Sequence, residues 1–150
     1  MTILFSSAIL RDLQEHAEDH YPEEGAGLIL GEDKAETRRA TRLLHRDNNF
    51  EVESRHRRYA INPKEFLEAE READQLGLDI IGVFHSHPDH PARPSDFDLE
   101  WAMPWYSYII TSVSRGKAVE SRSWRLSDDR SSFIEEELVE VRSGSPEEVR

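Results

Sequence analysis

Residues 78–87 read LDIIGVFHSH, and this stretch gives the strongest strand signal in the chain. A run that is almost continuously apolar predicts a strand buried on both faces at the centre of a sheet. The run ends in His85 and His87, two positions apart. Because side chains alternate along a strand, both imidazoles are expected on the same face. The stretch therefore predicts a central strand that carries two converging nitrogen ligands.

The next residues, 88–98, read PDHPARPSDFD and concentrate further polar side chains. Three prolines break the strand, and Ser95 is a suitable N-cap for a short helix over residues 96–103. Asp98 lies one helical turn beyond that cap, so the loop can return its carboxylate towards the histidines. Residues 85–98 contain more potential metal ligands than one ion can use: His85, His87, Asp89, His90, Asp96 and Asp98.

The sequence contains no cysteine, so any metal site must use histidine and carboxylate ligands. Two histidines, one carboxylate and a water form an open zinc site, which is the catalytic type. A hydrolytic zinc site also needs a general base and a donor that stabilises the oxyanion. Ser95 is a candidate donor near the ligands. Glu24, in YPEEGAGLILG just before an apolar run, is the prominent candidate base.

The remaining elements surround the central strand in a mixed order. Periodicity and capping residues predict a helix over 6–20, with Ser6 or Ser7 as N-cap, and a helix over 63–77. Apolar runs and turn residues predict strands over 26–31, 37–45 and 59–62 and a hairpin of 105–113 and 117–126, while 131–141 fits a strand or a helix.

This order indicates one α/β domain of the α+β type over residues 1–142, with a disordered tail over 143–150. The formal net charge of −12 makes nucleic acid an unfavourable partner. No apolar run reaches the length of a membrane span, and the N-terminus lacks the pattern of a signal peptide. We therefore expect a cytoplasmic protein with neither a membrane nor a nucleic-acid partner.

One interpretation of HSHPDH is the H-x-H-x-D-H motif, which resembles the metal loop of metallo-β-lactamase-fold hydrolases. That fold needs further histidines and an aspartate downstream to complete two metal sites. His90 is the last histidine of this chain, and only 60 residues follow it. The interpretation therefore lacks its required sequence context.

Taken together, PEEGAGLILG and HSHPDHPARPSDFD resemble the JAMM (MPN-plus) metallopeptidase family, from about the first helix to Trp124. The family pattern is an early glutamate, then H-x-H, seven residues and S-x-x-D. The resemblance implies a single JAMM domain with a mixed, curved β-sheet flanked by helices. It also implies one zinc per chain, and it assigns the residues as follows: His85, His87 and Asp98 as ligands, Glu24 as the base and Ser95 as the oxyanion donor.

Residues 59–95 further resemble the small bacterial stand-alone members, which act on ubiquitin-like sulfur-carrier proteins. This resemblance implies hydrolysis of an amide or isopeptide bond after a Gly-Gly tail, for example with release of a C-terminal cysteine. The alternatives are a non-catalytic MPN scaffold and a small-molecule zinc amidase. A homodimer is compatible with the sequence.

Several residues near the motif have less specific interpretations. Asp89 and His90 are expected at the rim of the site. The basic run 55–58, RHRR, fits a solvated loop or a contact to an acidic carrier protein. The aromatic side chains after the motif are expected to make core or dimer contacts: Trp101, Trp105 and Tyr106.

Overall fold

The structure is a computed structural model, and it describes residues 1–46, 61 and 63–142. Within these residues the chain forms seven strands and three helices. In chain order they are β1 Thr2–Ser6, α1 Ser7–His20, β2 Ala26–Lys34, β3 Thr37–Arg46, α2 Pro63–Leu76, β4 Asp79–Pro88, α3 Asp96–Trp101, β5 Ser107–Ser114, β6 Lys117–Leu126 and β7 Phe133–Val141.

The strands form one closed sheet in the order β1-β3-β2-β4-β5-β6-β7. The sheet is mixed, because β1 pairs in parallel with both β3 and β7, and β4 pairs in parallel with β5. The remaining neighbours pair antiparallel. The predicted mixed, curved sheet flanked by helices is confirmed. Its closure by β1 was not predicted, because a five-residue strand directly before a helix has no pattern of its own.

Strand β4 lies at the centre of this sheet, between β2 and β5. Every residue of β4 after Asp79 is buried, as the apolar run predicts. In register, Ala26 at the start of β2 faces His85, and Ile110 of β5 faces the same residue from the other side. His85 is therefore held between two paired strands, and His87 pairs with Ser112 of β5.

Gly82 allows β4 and β5 to approach each other closely. A Cβ atom at Gly82 would lie 2.6 Å from the carbonyl oxygen of Ser107, its register partner on β5. Because this oxygen belongs to a paired backbone, it cannot move without cost to the sheet. We expect Gly82→Ala to lower the free energy of unfolding by about 2–3 kcal/mol, measured by urea denaturation. If the free energy of unfolding did not change measurably, β4 and β5 would be able to move apart at no cost.

The helices agree with the sequence predictions in type and nearly in extent. Ser6 caps α1, and its hydroxyl oxygen accepts from the Ile9 N–H at 3.1 Å. Helix α3 ends at Trp101, earlier than the predicted residue 103, because the following residues have an extended backbone. Apolar side chains pack in two clusters, one containing Leu10 and Leu13 of α1 and the other containing two alanines of α2.

Strands β7 and β2 decide two of the sequence predictions, and three other predicted segments lie wholly or mainly outside the described residues. Residues 133–141 form a strand, which resolves the helix alternative. Strand β2 continues to Lys34, three residues beyond the predicted end at residue 31. Three predicted segments lie outside the described residues: the basic run 55–58, the tail 143–150, and the strand at 59–62, of which only Ile61 is described. In the described part of the chain, no helix is long and apolar enough to cross a membrane.

Candidate metal and catalytic site

Strand β4 and helix α3 bring three potential ligands together. The Nε2 atoms of His85 and His87 are 3.3 Å apart. Asp98 lies against both, with Oδ1 at 3.2 Å from His85 Nε2 and Oδ2 at 3.1 Å from His87 Nε2. All three side chains are buried. The predicted ligands are thus adjacent, although Asp98 follows His87 by eleven positions in the sequence.

These separations suit a tetrahedral zinc ion. Zinc bonds to imidazole nitrogen and carboxylate oxygen are about 2.0–2.1 Å long, so donor atoms of a regular tetrahedron lie roughly 3.3 Å apart. The two Nε2 atoms, 3.3 Å apart, match this edge length, and each lies at a similar distance from a different oxygen of Asp98: His85 3.2 Å from Oδ1 and His87 3.1 Å from Oδ2. The donor set also matches the preference of zinc for histidine and carboxylate. The residues present therefore fit a zinc ion.

A backbone carbonyl orients the His87 ring. The Nδ1 atom of His87 lies 2.9 Å from the carbonyl oxygen of Pro91, which can only accept a hydrogen bond. Nδ1 must therefore carry a proton, so Nε2, which lies beside Asp98, is the nitrogen that a metal can bind. A second hydrogen bond of this kind is typical of a histidine that binds a metal.

Asp98 and Ser95 form a capping box at the start of α3. The Ser95 N–H donates to Asp98 Oδ2 at 2.8 Å, and the Asp98 N–H donates to Ser95 Oγ at 3.1 Å. The predicted N-cap role of Ser95 is confirmed. Its hydroxyl proton is not used by this cap, so the same side chain can still donate towards a ligand.

Glu24 lies at the same centre, from the turn before β2. Glu24 is 3% exposed, and it offers a ligand atom within 4.8 Å of those of both histidines. Two hydrogen bonds fix the turn to β4: Gly25 N–H donates to Ser86 Oγ at 2.8 Å, and Ser86 N–H donates to Gly25 O at 3.1 Å. The structure thus brings together all five residues that the sequence analysis selected.

The protonation of the site reflects burial and mutual charge. Burial, with the negative charge of Asp98, raises the pKa of Glu24 to about 8. Although burial alone would raise it, the pKa of Asp98 is lowered because both histidines donate to its charged form. Burial would lower the pKa of His87, but the hydrogen bond and charge of Asp98 raise it. Asp98 is therefore the carboxyl group of the cluster whose ionised form is favoured, whereas the neutral form of Glu24 is favoured.

The loop between β4 and α3 is fixed by contacts that the sequence did not reveal. Ser112 Oγ donates to the carbonyl oxygen of His90 at 2.6 Å, and Trp124 Nε1 donates to that of Ala92 at 3.0 Å. Asp89 accepts from the Tyr21 hydroxyl at 2.6 Å, which joins the loop to the segment that leads to Glu24. Backbone acceptors have no residue signature, so no pattern could have identified them.

Two cavities border residues of the site, and Phe97 lines both of them. One of about 690 Å³ is mainly apolar, reaches Asp98, and is lined among others by Ile61, Phe66, Val83, Trp101, Tyr106 and Tyr108. The other, of about 400 Å³, is lined by Glu24, His87, His90, Pro91, Arg93, Ser95, Asp96 and Phe97. Trp101 and Trp105 are 66% and 48% exposed, so they are not core side chains, and the other predicted role, a dimer contact, stays a prediction.

A second histidine cluster lies beyond the site, where α1 meets β3. The His16 ring lies 4.3 Å from the rings of both His20 and His45, measured between centroids. Burial, and then repulsion from these two histidines, lowers the pKa of His16 to about 4. Its neutral form is therefore the one that the folded protein accommodates.

This cluster predicts a loss of stability in mild acid. The folded state keeps His16 neutral down to about pH 4, whereas the unfolded chain protonates it near pH 6.5. The stabilisation is thus complete above pH 6.5 and is lost as the pH falls to 4, by about 3 kcal/mol. Urea unfolding of wild type and His16→Gln across this range should give curves that diverge below pH 6.5. Parallel curves would contradict this account.

The amino-acid sequence is similar to a known protein family and to characterised relatives. The chain matches the family described as prokaryotic homologs of the JAB domain over residues 6–127. It is 33% identical over 106 residues to a desampylase from Haloferax volcanii, covering 70% of this chain and 73% of that protein. A desampylase from Pyrococcus furiosus is 36% identical over 70 residues, covering 47% and 48%.

A third relative is named as a probable TtuB-protein conjugate cleaving protease, from Thermus thermophilus. It is 29% identical over 102 residues, which cover 68% of this chain and 64% of that protein. The matched regions thus span about half to three quarters of the length of these relatives.

Solved structures with the same fold agree. A protein from Desulfitobacterium hafniense superposes with a TM-score of 0.82 at 29% identity, covering 94% of both chains. A protein from Salinibacter ruber has a TM-score of 0.71 at 38% identity, covering 95% of this chain and 94% of that one. A JAB1/MPN domain protein from Archaeoglobus fulgidus, at 19% identity and a TM-score of 0.55, is similar in fold, covering 93% and 99%.

Proposed function

The chain belongs to the prokaryotic branch of the JAB (JAMM) family of hydrolases, and we propose that it is a zinc-dependent peptidase. Its proposed substrate is an amide or isopeptide bond after the Gly-Gly tail of a ubiquitin-like or sulfur-carrier protein. The observation that carries this proposal is the convergence of His85, His87 and Asp98 with a buried glutamate, Glu24. A carrier of this kind is supported by the names of the desampylase and conjugate-cleaving relatives.

In the proposed site, His85, His87 and Asp98 hold one zinc ion, and Glu24 and Ser95 perform the proton and oxyanion roles. When bound, zinc lowers the pKa of a water and polarises the scissile carbonyl. The positive charge also favours ionised Glu24, whose pKa of about 8 would otherwise leave it protonated at neutral pH. Glu24 is thereby prepared to act as a base.

Glu24 accepts a proton from the attacking water, and the oxygen of that water bonds to the carbonyl carbon. The Ser95 hydroxyl donates to the oxygen on which negative charge develops. Glu24 then passes its proton to the leaving nitrogen as the C–N bond breaks. The products are a carboxylate at the end of the carrier tail and a free amine.

The proposed tail lies in the apolar cavity beside α2. This cavity reaches Asp98 and has aromatic walls, so it can bury apolar side chains of an extended segment while the narrow Gly-Gly end reaches the reacting centre. A non-catalytic scaffold would not need a buried base beside a complete ligand set. The homodimer and the cytoplasmic location stay predictions.

Intact-mass analysis tests this proposal. A sulfur-carrier protein extended by one cysteine after Gly-Gly is incubated with the zinc-loaded chain, with and without a chelator. We expect the loss of one cysteine residue, and we expect the chelator to prevent it. A free Gly-Gly-Cys peptide serves as the comparison, since equal cleavage of this peptide would favour a small-molecule amidase. Absence of cleavage from a zinc-loaded sample would contradict the proposed activity on this bond.

A further inference from the structure

The two cavities beside the site differ in their contact with Glu24. Glu24 lines the smaller, more polar cavity but does not line the apolar one. In the proposed function, Glu24 delivers the proton to the leaving nitrogen. The group attached to that nitrogen must therefore enter the polar cavity, while the carrier tail occupies the apolar cavity. The residues of the polar cavity are thus placed to select the leaving group.

Arg93 provides a positive charge in this cavity. It is exposed, and it makes no ion pair or hydrogen bond with any residue in the described ranges. Its neighbour Ala92 is fully buried, and the carbonyl of Ala92 is held by Trp124. Pro94 follows directly, so the backbone on both sides of Arg93 is restrained. A guanidinium presented in this way is suited to bind a carboxylate with two parallel hydrogen bonds.

We propose that Arg93 binds the free α-carboxylate of a leaving amino acid, so that the enzyme preferentially releases a single residue from the carrier tail. This inference rests on the proposed function. In a C-terminal amino acid, one carbon separates the leaving nitrogen from a carboxylate. A lysine joined through its side chain has no carboxylate at that position, because the carbon bonded to its side-chain nitrogen is a methylene group. A cavity of about 400 Å³ has room for one amino acid.

Asp96 is expected to act against Arg93, so replacing Asp96 should have the opposite effect to replacing Arg93. Its carboxylate lines the same cavity, in the first turn of α3. A negative charge there repels a carboxylate leaving group and attracts Arg93. Removing the charge with Asp96→Asn should therefore strengthen the preference that Arg93 creates.

The test uses a ubiquitin-like carrier ending in Gly-Gly and extended in three ways. One form carries alanine with a free carboxylate, one carries alaninamide, and one carries the side-chain nitrogen of Nα-acetyl-lysine amide. For the wild type we expect a kcat/KM about tenfold higher for the acid than for the amide. The ratio should fall to about 1 in Arg93→Gln, be partly restored in Arg93→Lys, and rise in Asp96→Asn. Arg11→Gln, an exposed change on α1, should keep the wild-type ratio.

Binding gives a second readout that does not depend on turnover. With Glu24→Gln as background, the acid form should bind about tenfold more tightly than the amide, and adding Arg93→Gln should remove this difference. Equal cleavage of acid and amide by the wild type, or an unchanged ratio in Arg93→Gln, would overturn the inference while the proposed function stands. If none of the three forms is cleaved by a zinc-loaded sample, the proposed function fails, and the inference fails with it.

Discussion

Glu24→Gln is expected to lower kcat by about 10³-fold while zinc content stays at one per chain. Glutamine has nearly the same shape as glutamate but cannot accept the proton of the attacking water. The three proposed ligands are untouched, and the turn that carries residue 24 is held by the backbone of Gly25 and by Ser86. Turnover should be measured by intact mass of the carrier, and zinc by elemental analysis of the same samples.

Glu23→Gln is the matched control for this substitution. Glu23 is the adjacent residue, is less buried than Glu24, and does not belong to the group that could hold a metal. Its replacement should change kcat by less than about twofold, since surface substitutions away from a site have small effects. Loss of zinc in Glu24→Gln would indicate that Glu24 is a ligand. If Glu23→Gln and Glu24→Gln lost activity equally, the result would contradict the assignment of Glu24 as the base.

Asp98→Asn is expected to weaken zinc binding by roughly 10³-fold, in line with the cost of about 3–5 kcal/mol for removing one partner of a buried charge pair. Activity should fall with zinc occupancy. The amide oxygen of asparagine can still accept from the Ser95 N–H, so the cap of α3 should persist. Competition with a chromophoric chelator measures the zinc affinity, and thermal unfolding of the metal-free protein checks the fold.

Asp96→Asn provides the control for that prediction. It removes the same negative charge two residues away, in the same first turn of α3. Unlike Asp98, Asp96 forms no ion pair with His85 or His87. Zinc affinity should therefore stay within a few-fold of wild type. If Asp98→Asn kept full zinc affinity, or if both variants lost it equally, Asp98 would not be a ligand.

The central strand and the ligand cluster were accessible from sequence because their signals are local. Apolar continuity identifies β4, strand alternation places His85 and His87 on one face, and a cap three residues before Asp98 fixes the start of α3. These three rules act over fewer than twenty residues. The position of Glu24 beside the histidines required more, since its distance from them depends on the pairing of β2 with β4.

The features that were missed depend on contacts between distant segments. Strand β1 is short, and it closes the sheet only through pairing with β7, more than 130 residues later. The carbonyl of Pro91 orients His87, but a carbonyl is common to every residue. The exposure of Trp101 follows from the cavity that it borders, which no periodicity describes. In each case the deciding partner lies outside the sequence window that a pattern can cover.

The central claim is that His85, His87 and Asp98 hold the zinc while Glu24 stays beside it as a base. A crystal structure of the zinc-loaded chain, with anomalous data at the zinc edge, tests this most directly. We expect one anomalous peak, with the two Nε2 atoms and a carboxylate oxygen of Asp98 each at about 2.0–2.2 Å, and Glu24 beyond bonding distance. A zinc ion bonded to Glu24 in place of Asp98, or no peak at this site in zinc-loaded crystals, would contradict the account.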